Sequence, residues 1–367
     1  MSARLRVGLV LGGRSGEHEV SVVSARSVAA ALDRERYEVV PLAIDHAGRW
    51  ADAGEAARVL RESGDAPDRV ARFTGVHRLD PRLGAGAVDV VVPILHGPFG
   101  EDGTIQGLCE VLDLAYVGCG VTASGITMDK VLSKRLLVEA GLPTPAFVAL
   151  AVAQWRQDPD GCRGRCLGLG LPLFVKPARL GSSVGITKVK EAGTLAAAID
   201  AAFAWDDLAV VEEGIPAREI EVAVLGGDPP LASVPGEVVP GHEFYDYADK
   251  YLDDACRLLA PAPLAAEQAE EVRRLALAAF AALGCEGMAR VDFLLDRRDG
   301  RFLVNELNSI PGFTSISMYP KLLALSGVPY PALLSALIDL ALARRERRRE
   351  LAAAALRPFA DRSGPAS

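Results

Sequence analysis

The strongest constraint in this chain is a pair of apolar runs facing each other across a polar turn, 288-MARVDFLLDRRDGRFLVNELNSIPGFTS-315. The turn 296-DRRDG-300 between two β-prone segments predicts a hairpin, with Gly300 supplying the positive φ. If the strands pair antiparallel about Asp299, the numbers of facing residues keep a constant sum, and Asp292 lies opposite Glu306. Alternation along each strand puts Arg290 on the face of Asp292 and Asn308 on the face of Glu306. Two carboxylates, an amide oxygen and a guanidinium then crowd one surface. Like charges directly opposite destabilise a bare hairpin. An oxygen-rich set of this kind suits Mg²⁺, a hard cation that takes carboxylates together with phosphate oxygens. A solvated hairpin face with Arg290 as counter-ion accounts for the same residues, and the hairpin alone leaves both readings open.

A chain of 367 residues is long enough for two or three domains. Its 50% hydrophobic and 24% charged residues are ordinary for a globular protein. A net charge of −8 argues against nucleic acid as the main partner. No apolar run reaches membrane-spanning length, and the apolar run in MSARLRVGLVLGG is too short for a signal peptide. The six cysteines are scattered, and CRGRC at 162–166 has no histidine nearby to complete a zinc site, so reduced thiols are expected.

Along the first third, apolar strands at 7–11, 38–45, 88–95 and 115–118 alternate with helical stretches, the pattern of an open parallel sheet. Residues 122–142 read as one helix carrying Lys130 and Lys134, and 156–168 reads as a loop. Strands follow at 171–177, 186–190, 208–213 and 219–226, with a helix over 194–202. The aromatic and charged stretch 240–255 lacks periodicity, as lids over sites often do. A helix over 265–283 precedes the hairpin, and a last helix runs from Pro331 through an arginine cluster at 344–349. Interrupting glutamates make that cluster a solvated helix face.

Several stretches could carry chemistry. LGGRSGE lies between a strand and a helix but lacks dinucleotide-fingerprint spacing. A helix N-terminus there suits a carboxylate, and Glu17 suits an ammonium, together the two ends of an amino acid. The plain reading of this stretch is helix capping, with Ser15 as N-cap. RLGSSVG at 179–185 joins two strands. Gly181 and Gly185 let the backbone fold over a phosphate, Ser182 and Ser183 add donors, and Lys176 precedes them; the plain reading is an ordinary hairpin turn. The segment 211–222 offers backbone groups for a purine edge, with Glu212 or Glu219 for hydroxyls, against an exposed acidic turn. In the 240–255 stretch Lys250 and Tyr251 could touch phosphate and substrate. Beyond the hairpin, 310-IPGFTSIS-317 places the Gly312 N–H and the hydroxyls of Thr314, Ser315 and Ser317 beside the carboxylates, where donors suit an oxyanion or simply cap a helix. His96, at a strand end, is a substrate contact or a satisfied polar residue.

The strings GGRSGEHEVS, HGPFGEDGTIQG, FVKPARLGSSVG, YDYADKY, ARVDF and NELNSIPGFTS, in this order over nearly the whole chain, resemble the ATP-grasp superfamily and, within it, the D-alanine–D-alanine ligases. The resemblance implies an α/β (α+β) ATP-grasp fold: an N-terminal open parallel α/β domain followed by two α+β domains that clamp ATP. The expected divisions are 1–121 for substrate, 122–210 for the central ATP-grasp domain, 211–350 for the C-terminal domain with the metal site, and 351–367 for a tail.

The implied activity joins two D-alanines with ATP as co-substrate through an acyl phosphate, in the cytoplasm, for peptidoglycan precursors. Two Mg²⁺, with Mn²⁺ as the alternative ion, would be held by Asp292, Glu306 and Asn308. Lys130, Lys176, Ser182, Ser183 and, from the lid, Lys250 would contact phosphates, with Asn305 also at the nucleotide. Glu212, Glu213, Gly214 and Ile215 would cradle adenine, with Glu219 on the ribose. Glu213-Gly214 departs from the bulky aromatic pattern of some members. Glu17, Ser182 and Tyr251 would hold the first D-alanine, Arg290 and the Gly312 N–H the tetrahedral intermediate, and Ser317 with Met318 the second D-alanine. His96 would be a further substrate contact. Partners are small molecules, with no nucleic acid and no membrane, in a homodimer. The competing readings are a D-alanyl-D-lactate or D-alanyl-D-serine ligase, an ATP-binding protein without catalysis and, least favoured, a dinucleotide-dependent enzyme.

Overall fold

The computed structural model describes residues 4–74, 76–77, 83, 86–239, 257–314 and 316–360, without the side chains of 76–77 and 355–360. Among these residues three sheets form. Lys250, Tyr251 and Ser315 lie outside the described residues.

The first sheet has the order β4-β3-β2-β1-β5-β6. Its strands are β1 (Leu5–Gly12), β2 (Tyr37–Ile44), β3 (Trp50–Ala51), β4 (Val76–His77), β5 (Val90–Pro93) and β6 (Ala115–Tyr116). β1, β2, β5 and β6 are parallel, while the short β3 and β4 run antiparallel at one edge. Val7, Leu9, Val10 and Leu11 are all fully buried, because β1 is covered on both faces. Helices α1 (His18–Ala31), α2 (Ala53–Glu62) and α3 (Thr104–Val111) connect these strands.

The second sheet, in the order β7-β10-β8-β9, is antiparallel: β7 (Phe147–Ala151), β8 (Leu173–Pro177), β9 (Thr187–Val189) and β10 (Leu208–Glu213). Leu173, Val175, Ala209 and Val211 face a core built with α6 (Val152–Gln157), α7 (Pro159–Leu167) and α8 (Leu195–Phe203). Strict alternation turns Lys176 and Glu212 to the opposite face. β10 runs through the expected 210/211 division and stays paired to Glu213.

The stretch 156–168 is helical, not a loop. Asp158 accepts from the Gly161 N–H at 2.9 Å and Pro159 fills the first helical position, so residues that read as breakers start α7. Its spacing of four places Cys162 and Cys166 together in the core. Likewise 122–142 is two helices, α4 (Val121–Met128) and α5 (Lys130–Glu139). The Asp129 carboxylate caps α5 by accepting from Val131 and Leu132 N–H, each at 3.0 Å, which puts Lys130 at its first position.

The third sheet has the order β14-β13-β11-β15-β16, with β12 also on β11. Its strands are β11 (Ala217–Leu225), β12 (Leu231–Ala232), β13 (Gly236–Val239), β14 (Arg257–Leu259), β15 (Met288–Asp296) and β16 (Phe302–Asn308). One face packs on α9 (Ala266–Ala282), α4 and α5. The hairpin forms, with Gly300 at φ 75°. Arg290 faces Asn308 and Asp292 faces Glu306, but the register then shifts, and Phe293 faces Val304. Asn305 is the extra residue of a β-bulge. A constant sum would have placed Val304 and Phe302 on the polar face; the bulge returns both to the core beside Leu307.

Finally α10 (Met318–Leu325) and α11 (Tyr330–Ala360) carry the chain back onto the first domain, where Met318, Leu322, Leu333 and Leu337 share a core with β1 and β5. Among the described residues no single helix is long and apolar enough to cross a membrane.

Candidate active site

The polar faces of the second and third sheets meet in a cleft lined by Lys130, Lys176, Gly181–Ser183, Glu219, Glu221, Arg290, Asp292, Asn305 and Glu306. The bulge at Asn305 explains why Asn305 and Glu306, adjacent in sequence, both reach it. Across three neighbouring strands the register sets Glu221 beside Asp292 and Asp292 beside Glu306, a row of three carboxylates. Arg290 neutralises part of this row. Its Nε and a terminal NH₂ donate to the two Asp292 oxygens, each at 2.7 Å, and Nε lies 3.4 Å from Glu221 Oε1. Asn308 donates through Nδ2 to Asp292 at 2.9 Å. The remaining oxygens form a hard-ligand set. Sequence reading missed Glu221, although its spacing of two from Glu219 on a strand puts both on one face.

On the facing sheet, Glu212 sits between two ammonium groups. Lys176 donates to it at 2.8 Å and Lys134 lies 3.1 Å away. Lys134 is 1% exposed and also donates to the Thr144 hydroxyl at 3.0 Å, which in turn bonds the Val304 carbonyl. Burial alone would raise the Glu212 carboxyl, but Lys134 and Lys176 override it and hold it down to about 2. Burial lowers the Lys134 ammonium despite Glu212, whereas for Lys176 burial is outweighed by Glu212, with Glu306 and Glu219 adding to the effect. Lys176 therefore stays charged at the cleft, positioned by Lys134 through Glu212. Lys134 is a second residue that sequence reading left without a role.

The carboxylate of Glu212 is thus committed to the two lysines, whereas Glu219 and Glu221 of that segment line the cleft. Glu213 ties down β7 by accepting from the Ala146 N–H at 3.0 Å, and the Gly214 N–H donates to the Pro172 carbonyl at 2.8 Å. A Cβ on Gly214 would lie 2.7 Å from that carbonyl, so the close approach needs glycine. Ile215, half-buried, continues the segment.

Lys130 donates through Nζ to the Leu180 carbonyl at 2.5 Å, at the base of the glycine-serine loop. The left-handed residues of that loop are Ser182 (φ 50°), Ser183 (φ 59°) and Gly185 (φ 73°). Two successive non-glycine residues in this region cost about 1–2 kcal/mol each, a strain typical of functional loops. Gly181 serves a different need from the flexibility expected of it: a Cβ there would stand 3.0 Å from Glu17 Oε2. The Ser182 hydroxyl donates to Glu17 Oε1, joining the first domain to the loop.

Glu17 is the N-cap residue of α1, yet its side chain makes no capping bond. The Ser15 hydroxyl caps the turn that leads into α1, accepting from the Glu17 N–H at 3.2 Å, and donates to the His96 carbonyl at 2.6 Å. His96 is buried, with Nδ1 3.1 Å from the Ile310 carbonyl and Nε2 3.1 Å from the Ser24 hydroxyl, so both ring nitrogens are engaged within the protein. Burial lowers its pKa. Glu101, a third missed residue, accepts from the N–H groups of Gly97 (2.7 Å) and Ile310 (3.2 Å). Burial, with Glu17 nearby, pushes its carboxyl up to about 8. Nothing in GEDG signals that environment, because Ile310 is distant in sequence.

After the hairpin, Ser317 is the N-cap residue of α10, and its hydroxyl bonds Thr314 N–H at 3.0 Å and Oγ1 at 2.8 Å. A Cβ on Gly312 would lie 2.7 Å from Ser317 Oγ, so glycine permits this tight turn. The Met318 side chain is buried in the core, which leaves its backbone as the part that can face a ligand.

Sequence comparison adds independent findings. Residues 6–119 match the family described as D-ala D-ala ligase N-terminus, and residues 136–339 match D-ala D-ala ligase C-terminus. D-alanine–D-alanine ligase A of Bradyrhizobium diazoefficiens is 50% identical, covering 96% of this chain and 98% of its own. The D-alanine–D-alanine ligase of Chlorobaculum parvum is 45% identical over 92% of this chain and 97% of its own. Among solved structures, the D-alanine–D-alanine ligase of Coxiella burnetii superposes with a TM-score of 0.80 at 34% identity, covering 98% of this chain and 99% of that one. The VanG D-Ala:D-Ser ligase of Enterococcus faecalis gives 0.77 at 32% identity, over 92% and 100%.

Proposed function

The chain belongs to the D-alanine–D-alanine ligase family, an ATP-grasp fold, and from that premise we propose that it joins two D-alanine molecules at the expense of ATP. The observation that carries the reading is the row Glu221–Asp292–Glu306 facing Lys130 and Lys176 across one cleft. Anionic oxygens on one wall and ammonium groups on the other match a metal-bound polyphosphate.

Asp292, Glu306 and Asn308 fit Mg²⁺, since all three offer oxygen on rigid paired strands and Asp292 is only 15% exposed. Bound there, Mg²⁺ (or Mn²⁺) would neutralise phosphate charge and orient the γ-phosphate. Lys176 and Lys130 take the remaining phosphate charge with the Ser182–Ser183 loop, Lys250 adds a phosphate contact by the family resemblance, and Asn305 contacts the nucleotide. Residues 212–215 carry the adenine by their backbone and Glu219 binds the ribose. Glu17, held by Ser182 and aided by Tyr251, pairs with the ammonium of the first D-alanine, and His96 shapes that pocket. The carboxylate of this D-alanine attacks the γ-phosphorus, ADP leaves, and an acyl phosphate results. The free amine of the second D-alanine then attacks the carbonyl; a C–N bond forms, the C–O bond to phosphate breaks, and the proton lost by the amine passes to the departing phosphate. Arg290 and the Gly312 N–H offset the charge on the carbonyl oxygen of that intermediate. Ser317, beside the Met318 backbone, meets the second carboxylate. Protein groups move few protons here, so positioning and charge dominate.

The division into 1–121, 122–210 and 211–350 domains with a 351–367 tail, a cytoplasmic location, a homodimer and a role in peptidoglycan precursor synthesis belong to the same reading. The test is product analysis by mass spectrometry after incubation with ATP, Mg²⁺ and equal D-alanine, D-serine and D-lactate. D-alanyl-D-alanine as the main product is expected. A main product of D-alanyl-D-serine or D-alanyl-D-lactate overturns the second-site assignment, and ATP binding without any ligated product overturns the activity.

A further inference from the structure

One cluster outside the cleft joins the first turn of α1 to the turn after β2. His18, Glu19 and His46 each present a ligand atom, and these atoms all lie within 4.8 Å of one another. His18 is 2% exposed, and its Nδ1 bonds the Gly13 carbonyl at 2.8 Å. That bond fixes the tautomer with the proton on Nδ1 and leaves a lone pair on Nε2, the usual way a backbone carbonyl prepares a metal-ligating imidazole. His46 stacks on His18 with centroids 3.9 Å apart and rings inclined by 22°. Two imidazoles in face contact do not hydrogen-bond each other. His46 Nε2 lies 3.1 Å from Glu19 Oε1.

Zinc at 2.0–2.1 Å from tetrahedral ligands sets its ligand atoms roughly 3.3 Å apart. The His46–Glu19 edge already has that length, held by the His46 Nε2 proton that zinc would displace, and the His18 edges need to close. The exposed His46 side chain, which must turn off the face of His18, and the half-buried Glu19 side chain supply the movement, while His18 stays fixed between Gly13 and the Phe73 ring, 5.3 Å away. The backbone around the cluster is already tied together: Gly13 N–H donates to the Ile44 carbonyl at 2.9 Å, and Gly48 N–H to Asp45 at 3.0 Å.

We infer that His18, Glu19 and His46 form a site for a borderline-soft divalent cation of the Zn²⁺ class, with water as the fourth ligand. The set of two imidazoles and one carboxylate differs in kind from the all-oxygen set of the cleft, so the two sites select different ions. A cation there clips the turn at His46 to the first turn of α1, one residue from Glu17. The test uses the full-length reduced protein with saturating Mg²⁺, titrated with ZnCl₂ by calorimetry, alongside His46→Ala, Glu19→Gln and Glu306→Gln. Expected is one Zn²⁺ site that weakens at least ~10-fold in His46→Ala and in Glu19→Gln but not in Glu306→Gln. Zinc should also raise the melting temperature of the wild type and not of His46→Ala, while both melt alike without zinc because His46 is exposed. Absence of zinc binding in the wild type, or equal affinity in His46→Ala, overturns the assignment.

Discussion

Replacing Glu212 by Gln removes the one anion between Lys134 and Lys176. The carboxylate is 3% exposed and is held at about 2, below its ordinary value of 4.5. At 1.36 kcal/mol per pH unit, that difference corresponds to ~3 kcal/mol of stability at neutral pH. Removing one partner of a buried ionic cluster costs about 3–5 kcal/mol by experience with other proteins, so the two routes agree. The sign follows from a depressed pKa: the stabilisation is complete above the unfolded value and fades as pH falls from 4.5 toward about 2. At pH 3 the same relation leaves less than half of it. The assay is denaturant unfolding of both proteins at pH 7 and pH 3, followed by tryptophan fluorescence, since Trp155 lies in α6 and Trp205 just beyond α8, the helices packed on this sheet. The gap between wild type and Glu212→Gln should be ~3 kcal/mol at pH 7 and narrow to less than half of that at pH 3. A gap under ~1 kcal/mol at pH 7, or one that does not narrow, refutes the reasoning.

Lys176→Ala should weaken ATP binding measured by calorimetry and slow turnover, without changing which amino acids are accepted; unchanged nucleotide affinity contradicts its phosphate role. Gly181→Ala sets a Cβ 3.0 Å from Glu17 Oε2, so the KM for D-alanine should rise several-fold more than that for ATP; equal changes in both would place the fault in the loop as a whole. Tyr251→Phe, resting on the family resemblance, should relax the choice between D-alanine and D-lactate and slow ligation roughly tenfold to a hundredfold, the effect of one lost hydrogen bond in a dry site. Product ratios and rates equal to wild type would remove Tyr251 from the site.

The hairpin register was legible because a short turn fixes which residues face each other, and it held for Asp292 and Glu306, the pair that matters most. The bulge beyond them was not marked by any turn residue; it appears only when Phe302 and Val304 are required to share a core with Leu307. The strand pattern of the first domain survived because β1 and β5 are continuous apolar runs covered on both faces. The 156–168 stretch was misread because Asp-Pro-Asp-Gly carries equal signals for a turn and for a capped helix start, and only the burial of Cys162 and Cys166 decides. Lys134, Glu221 and Glu101 escaped notice for a common reason. Each takes its role from a residue on another element, Glu212, Arg290 and Ile310 respectively, and local sequence does not encode those partners.

If the carboxylate row holds the metal that binds ATP, removing one of its charges must stop turnover. This is tested most directly by D-alanine-dependent ADP formation in Glu306→Gln at saturating Mg²⁺, with circular dichroism to verify folding. The variant should be folded and its rate should fall by at least ~10²-fold, the scale of losing one strong electrostatic stabiliser. A folded variant turning over at a near-wild-type rate would contradict that metal role.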